Sequence, residues 1–279
     1  MDISTFQQRL PALYGGDLYA EHPVDRRFRE LMDDVPGMAS ENKLALLNLA
    51  ASLLDSGETY LEVGSFKGLS IIAAMLGNPE PRFVAVESFR EFGVDREETG
   101  AELLANLERW GVRDRLTVHE EDCFRLFGKP GLLEGPVGAY FYDGFHGSMA
   151  QYLAMGMVEP ILADRALVIV DDASWPVVAR ATARFVRGHP RFRLLYDLQS
   201  ERDFDPKWWC GVKVYAYDRS AAAPSPARGD VAWRRLLYVN LYEPATYLAG
   251  KALYRRPGLM KAVKKVVPLS SRRVKGPTP

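Results

Sequence analysis

The segment LEVGSFKGLS, residues 61–70, decides the fold of this 279-residue chain. An apolar run leads into Glu62 and Gly64, and Gly68 opens a stretch with the apolar period of a helix. The segment therefore reads as a strand, a tight turn and a helix. Glycines at such a turn let the backbone approach a ligand closely, and the helix N-terminus offers free N–H groups to a carboxylate. We expect a ligand site here.

Further strand-like runs alternate with helical patterns along the chain. We predict strands at residues 59–64, 82–88, 115–120, 138–143 and 166–172, and a closing antiparallel pair at 192–198 and 210–217. Helical spacers between consecutive strands favour parallel pairing. The predicted fold class is α/β: a doubly wound, Rossmann-like, mostly parallel seven-stranded sheet with a closing antiparallel strand, an N-terminal helical cap and C-terminal helices.

The segments outside the sheet divide the chain into three predicted parts. Residues 1–55 are the helical cap, residues 56–218 the ligand-binding core, and residues 219–279 a linker with a basic C-terminal helical extension. Within the cap, Ser40 is predicted to begin the helix SENKLALLNLAASLL. The small residues and prolines of AAAPSPARG, residues 221–229, predict the linker.

The composition, 47% hydrophobic and 26% charged, is that of an ordinary globular enzyme and disfavours disordered, collagen-like and membrane-protein classes. The amino terminus MDISTFQQRL has no signal-peptide pattern, and no apolar run approaches the roughly 20 residues of a membrane helix, so we expect a cytoplasmic protein. Cys123 and Cys210 lack CxxC spacing, which argues against a zinc site and a disulfide framework.

Charge is unevenly distributed. Residues 251–279 hold nine Lys or Arg and no Asp or Glu, which leaves 27 basic against 36 acidic residues in the first 250. An acidic body does not offer nucleic acid a basic groove, so we expect no nucleic-acid partner. The tail mixes apolar and basic residues. That pattern is compatible with an interfacial helix, but it more often marks a solvated carboxyl end or an oligomer contact, so we expect a homodimer more readily than a membrane contact.

The second predicted strand ends at Glu87, where a carboxylate can accept hydrogen bonds from both hydroxyls of a ribose. Together with the glycine turn this predicts a nucleoside cofactor. Position 66 is Phe, so the middle glycine of a dinucleotide fingerprint is absent and an NAD site is disfavoured. The simpler alternative is that Gly64 and Gly68 only make a tight turn.

Four polar side chains lie at the ends of the fourth and fifth predicted strands. Asp143 and His146 come after the fourth strand, and Asp171 and Asp172 end the fifth. Neighbouring strand ends lie about 5 Å apart, so the three carboxylates could share one Mg²⁺. Without a cation they would repel one another and one would take up a proton. Two alternatives stay open: His146 as an ordinary loop histidine, and Asp171-Asp172 as a cap of the helix WPVVARATARF.

LEVGSFKGLS, FVAVES and GVRDRLTVHEED together resemble motifs of class I S-adenosylmethionine-dependent O-methyltransferases of the catechol and caffeoyl-CoA type, over roughly residues 36–217. The resemblance implies that Glu62, Gly64 and Ser65 lie beside the methionine part of the donor and that Glu87 holds its ribose. By the same resemblance, the predicted donor site also includes Met38, Ser40, Gly68, Asp122, Cys123 and Asp143. Of these, Asp122 and Cys123 would flank the adenine.

These families share the 28-residue interval from Asp143 to Asp171 and carry a proton acceptor three residues after the first metal ligand. His146 stands at that offset, as in macrolide sugar O-methyltransferases with a D-x-x-H motif. The resemblance implies that a metal-bound hydroxyl of a small molecule, a sugar or phenol of secondary metabolism, loses its proton to His146 and attacks the donor methyl.

Two other functions remain open from the sequence. The fold could serve a catalytically inactive binding or scaffold protein whose basic tail contacts a membrane or a partner. A nicotinamide-dependent oxidoreductase is the other alternative; it fits Glu87 but leaves the carboxylate cluster at Asp143, Asp171 and Asp172 unexplained.

Overall fold

The computed structural model describes residues 1–90, 95–127, 129, 131–221, 228–254 and 256. Within these residues one seven-stranded sheet has the order β3-β2-β1-β4-β5-β7-β6. Its strands are β1 (Thr59–Val63), β2 (Arg82–Val86), β3 (Leu116–His119), β4 (Val137–Tyr142), β5 (Leu162–Val170), β6 (Phe192–Leu198) and β7 (Val212–Asp218).

Strands β1 to β5 run parallel to one another, and β7 runs antiparallel to both β5 and β6. Every residue of β1 and β4 is buried, as their apolar runs require for strands covered on both faces. The predicted doubly wound sheet with an antiparallel edge is confirmed. Strand order reverses between β1 and β4, so the ligand crevice lies beyond the carboxyl ends of these two strands.

Helices cover both faces of the sheet. They are α1 (Ile3–Ala12), α2 (Phe28–Asp34), α3 (Glu41–Ser52), α4 (Leu69–Met75), α5 (Arg96–Arg109), α6 (Cys123–Leu126), α7 (Ser148–Val158), α8 (Pro176–Arg187), α9 (Arg228–Leu237) and α10 (Glu243–Tyr254). Side chains of α1 to α5 form one apolar core, and side chains of α6 to α8 form the other. Residues that end the central strands therefore emerge between two well-packed layers.

The N-terminal helices are joined to the far edge of the sheet by the loop between β6 and β7. Trp208 of this loop is fully buried and donates its indole N–H to the Leu18 carbonyl at 2.8 Å. Its ring makes an edge contact with Tyr14. The loop and the cap thus pack as one layer over the carboxyl ends of the central strands.

The C-terminal region continues from α9 through a π-helical turn at Tyr238–Tyr242 into α10. Most of the predicted linker and of the basic tail, residues 222–227, 255 and 257–279, lies outside the described residues. The proposed division into three parts stays a prediction. No helix in the described part of the chain is long and apolar enough to cross a membrane.

Candidate active site

The turn after β1 brings the ends of two strands into contact. Gly64 has a φ of +92°, and a Cβ at this position would lie 2.1 Å from the Asp143 carbonyl oxygen. The Asp143 N–H in turn donates to the Val63 carbonyl at 2.9 Å. Gly68, with a φ of +97°, precedes the first turn of α4. Only glycine fits at position 64, because β4 passes too close for any side chain.

Glu62 lies inside the molecule below this turn. It is fully buried, and its carboxylate accepts a hydrogen bond from the Ser70 hydroxyl at 2.7 Å. Burial raises the pKa of Glu62 to about 7, although the Ser70 hydrogen bond acts in the opposite direction. A buried carboxylate that is half neutralised at neutral pH is suited to a cationic ligand group, which would favour its ionised form. Ser65 is buried in the same turn.

Glu87 follows β2 and holds the turn from the other side. Its carboxylate accepts hydrogen bonds from the Phe66 N–H and the Phe89 N–H, both at 2.8 Å. Phe66 and Phe89 have positive φ angles of 45° and 49°. Glu87 thus lies next to the glycine turn, as predicted for a residue that contacts a cofactor at the strand-order reversal.

Asp122 and Cys123 lie at the start of α6, after β3. Asp122 caps the helix, since its carboxylate accepts hydrogen bonds from the Phe124 and Arg125 N–H groups at 2.9 and 3.2 Å. Cys123 is buried, and burial raises the pKa of its thiol. Capping leaves one Asp122 oxygen available to a ligand.

The segment before α3 lies against the same turn. A Cβ at Gly37 would lie 2.5 Å from the Leu69 side chain, so this segment packs on the first turn of α4. Met38 is exposed at its surface. Ser40 caps α3 as predicted, accepting from the Lys43 N–H, and its hydroxyl donates to the Lys207 carbonyl at 2.8 Å. Ser40 therefore joins the cap to the β6–β7 loop.

Asp143, His146 and Asp172 converge at the ends of β4 and β5. One ligand atom from each of the three lies within 4.8 Å of the others. His146 Nε2 is 2.8 Å from an Asp172 oxygen and 3.6 Å from an Asp143 oxygen. Asp172 has a φ of +51°, a strained backbone for a residue other than glycine, which turns its carboxylate toward His146.

Asp171 points to a different partner. Its carboxylate accepts a hydrogen bond from Lys43 Nζ at 2.6 Å and another from the Asp172 N–H at 2.8 Å. The side chains of Lys43 and Asp171 are 1% and 2% exposed, so this is an ion pair inside the protein. The sequence interpretation missed Lys43. The available signal was a lysine directly before the apolar residues Leu44–Leu47 of α3.

The charges of this site determine its protonation. Burial alone would lower the pKa of His146, but Asp143 and Asp172 outweigh it and raise that pKa to about 10. Burial and the charge of Asp171 raise the pKa of Asp143. At neutral pH His146 is an imidazolium in this structure, so it must lose a proton before it can act as a base.

Lys43 and His146 supply two positive charges to three acids, so the acids can be close together without a bound ion. This corrects the argument that only a divalent ion makes the cluster tolerable. The alternative assignment of Asp171 and Asp172 as caps of α8 is wrong. Trp175 occupies the N-cap position, and among the described residues no side chain makes a capping hydrogen bond there.

Aromatic side chains lie next to the cluster and in the β6–β7 loop. The Trp175 ring lies 4.9 Å from the His146 ring, and Phe145 is exposed beside it. Phe204 and Trp209, both with positive φ angles, form an edge contact in the β6–β7 loop. Trp208, in contrast, belongs to the core. Of these aromatic rings, that of Trp175 contacts the cluster directly, through His146.

Residues 61–173 match a family model described as a methyltransferase domain. The chain carries a methyltransferase domain. The matched segment begins within β1 and ends just after Asp172, so it contains both the glycine turn and the carboxylate cluster. The interpretation of this segment as a methyltransferase domain is confirmed. A search of the curated proteins finds no significant match.

Solved structures resemble the chain in fold. The O-methyltransferase TomG of Streptomyces achromogenes, involved in tomaymycin synthesis and solved with SAM, is 19% identical, with a TM-score of 0.53 over 76% of this chain and 98% of its own. An O-methyltransferase from Bacillus cereus, solved with SAH, is 16% identical, with a TM-score of 0.54 over 75% and 100%. Cofactor-bound Rv0187 from MTB is 21% identical, with a TM-score of 0.53 over 78% and 96%. About a quarter of this chain lies outside each comparison.

Proposed function

We propose that this methyltransferase transfers a methyl group from S-adenosylmethionine to a hydroxyl of a small molecule. The observation that carries the proposal is the contact between Gly64 and Asp143. It joins the glycine turn, where a nucleoside ligand would bind, to the cluster of Asp143, His146 and Asp172. Donor and acceptor sites would therefore be adjacent, as direct displacement requires.

In this proposal the donor would lie along the ends of β1, β2 and β3. Glu62, Gly64, Ser65 and Gly68 would contact its methionine part, and Glu87 its ribose, since that carboxylate stands next to the turn. Asp122 and Cys123 would flank the adenine. Met38 and Ser40 would cover the donor from the segment that packs on α4. Solved neighbours that hold SAM or SAH support this assignment.

A divalent cation such as Mg²⁺ fits the donor set in chemical type. Asp143 and Asp172 offer carboxylate oxygens to such an ion, and His146 beside them is left for proton transfer. Asp171, predicted as a third ligand, would have to give up Lys43 to join them. When bound, such an ion lowers the pKa of a coordinated hydroxyl.

His146 is the proposed general base. Its imidazole lies 2.8 Å from Asp172 and 3.6 Å from Asp143, so it would be close to an acceptor oxygen bound there. One general base typically contributes about 10²- to 10⁴-fold to the rate. Trp175 and Phe145 would orient the acceptor by packing against it. A sugar or phenol of secondary metabolism as acceptor, and a cytoplasmic location, stay predictions from the sequence.

The donor assignment can be tested by calorimetric titration of S-adenosylhomocysteine into wild type, Glu87→Gln and Glu80→Gln. Glu80 precedes β2 and is exposed at its other end, so it is the matched control. Loss of hydrogen bonds to a charged acceptor costs about 1.5–3 kcal/mol each, so Glu87→Gln should bind the ligand at least about tenfold more weakly. Equal affinity in all three proteins, or no binding by wild type, would refute the assignment.

A further inference from the structure

The helix formed by α9, the π turn and α10, residues 228–254, has its charged and apolar sides reversed relative to an ordinary surface helix. Its described charged side chains turn toward the body. Arg235 donates to the Phe124 carbonyl at 2.7 Å, and Glu243 pairs with Arg90 and with Arg125. Arg234 pairs with Asp230 within the helix.

The opposite side of this helix is apolar. Trp233, Leu236, Leu241 and Leu248, called the outward face below, are 59%, 54%, 66% and 64% exposed. Among the described side chains from 229 to 250, those classed as exposed include no charged residue. The π turn takes up one extra residue, which brings Leu248 onto the same side as Trp233 although they are 15 positions apart.

An exposed apolar stripe of this kind calls for an occupant, because contiguous apolar surface on a soluble domain usually marks an interaction site. The sequence after this face indicates what binds to it. Nine Lys or Arg and no acid occur between residues 251 and 279, starting within the last turn of α10. Apolar and aromatic side chains followed directly by a polybasic segment are the two signals that together hold a protein on an anionic membrane surface.

We propose that the outward face docks onto an anionic lipid surface, with the basic segment supplying electrostatic attraction. The apolar side chains would enter the boundary between headgroups and acyl chains, while the body stays in water. Charge favours an anionic lipid over a second copy, because a second copy carries the same nine positive charges in this segment and no acid there to pair with them. The inference goes beyond the proposed methyl transfer and does not depend on it.

The same helix borders the active site. A Cβ at Gly147, directly after His146, would lie 3.5 Å from the Tyr242 hydroxyl. Docking through the outward face would therefore keep the loop of Phe145 and His146 on the membrane side of the molecule. An acceptor that partitions into lipid would reach the site from there.

The test is co-sedimentation of the full chain with phosphatidylcholine vesicles, with and without phosphatidylglycerol. Wild type should bind the anionic vesicles and not the neutral ones. Leu241→Asp/Leu248→Asp should reduce the partition coefficient at least about tenfold, and so should Lys261→Glu/Lys264→Glu/Lys265→Glu. Val24→Asp is the matched control, because Val24 is 70% exposed in the N-terminal part. It should bind like wild type.

Several outcomes would overturn the proposal. Absence of binding to anionic vesicles would do so, and so would equal binding by wild type and the leucine variant. Light scattering that shows a dimer dissociated by Leu241→Asp/Leu248→Asp would assign the face to a second copy. A lower melting temperature for that variant, but not for Val24→Asp, would show that the chain's own residues cover the face.

Discussion

His146 shows how two neighbouring carboxylates control one imidazole. Because Asp143 and Asp172 raise its pKa to about 10, the protonated form is favoured in the folded chain. The unfolded value is about 6.5. The resulting contribution to the free energy of unfolding is fully present below pH 6.5 and is lost as the pH rises through 10.

In the metal-free protein, NMR titration of the imidazole should therefore show His146 protonated well above pH 8. Asp172→Asn removes the nearest carboxylate and should move the pKa back toward 6.5. Asp164→Asn, at the opposite end of β5, should leave it unchanged. A wild-type pKa below 7 would show that the two carboxylates do not hold the proton.

Gly64 is the position in the turn after β1 where a side chain would collide with the main chain of a neighbouring strand end. Gly57 has a similar φ, +84° against +92°, but no atom of a described residue lies within 4 Å of a Cβ there. Gly57→Ala should lower the free energy of unfolding by about 1–2 kcal/mol, the usual cost of a left-handed conformation. Gly64→Ala should cost clearly more, since its Cβ would collide with the Asp143 carbonyl.

Urea denaturation of the two alanine variants measures this difference. Gly64→Ala should also weaken donor binding, because the collision displaces the turn that Glu87 contacts. If both substitutions cost the same, the close approach of β4 to the turn would be ruled out.

At the scale of elements, α3 is fastened to β5 by Lys43 and Asp171. Removal of one partner of a buried pair leaves an uncompensated charge and costs about 3–5 kcal/mol. Lys43→Met should lower the free energy of unfolding by that amount, whereas Lys43→Met/Asp171→Asn should recover much of it. Lys213→Met is the control, because its partner Asp197 is 40% exposed and lies 3.4 Å away. It should cost less than about 1 kcal/mol.

Urea denaturation of wild type, Lys43→Met, Asp171→Asn and the double variant gives the coupling energy directly. If the double variant is as unstable as the sum of its single variants, the pair does not act as a unit.

The sequence was sufficient to predict the elements of the sheet because their apolar runs are long and bounded by clear breakers. Asp143, Asp171 and Asp172 could be placed at one edge for the same reason, since parallel strands end together. Their orientations could not be predicted. The positive φ of Asp172 turns it toward His146, while Asp171 faces Lys43 of α3, and neither orientation has a local sequence signature.

Over the whole molecule, two cores enclose the sheet, and the site lies where their layers part. Composition and spacing predicted this architecture, but they did not predict the reversed polarity of α9 and α10. The arginines and leucines of that helix alternate at ordinary helical spacing. Which side faces the body depends on contacts with Phe124, Arg125 and Arg90, far away in sequence.

We propose that carboxylates at the ends of β4 and β5 bind a divalent cation beside the donor. Calorimetric titration of Mg²⁺ into donor-saturated wild type, Asp143→Asn and Asp164→Asn tests it most directly. We expect Asp143→Asn to keep its affinity for the donor and lose the ion, with Asp164→Asn behaving like wild type. Equal affinity for Mg²⁺ in wild type and Asp143→Asn, or no binding by wild type, would contradict the claim.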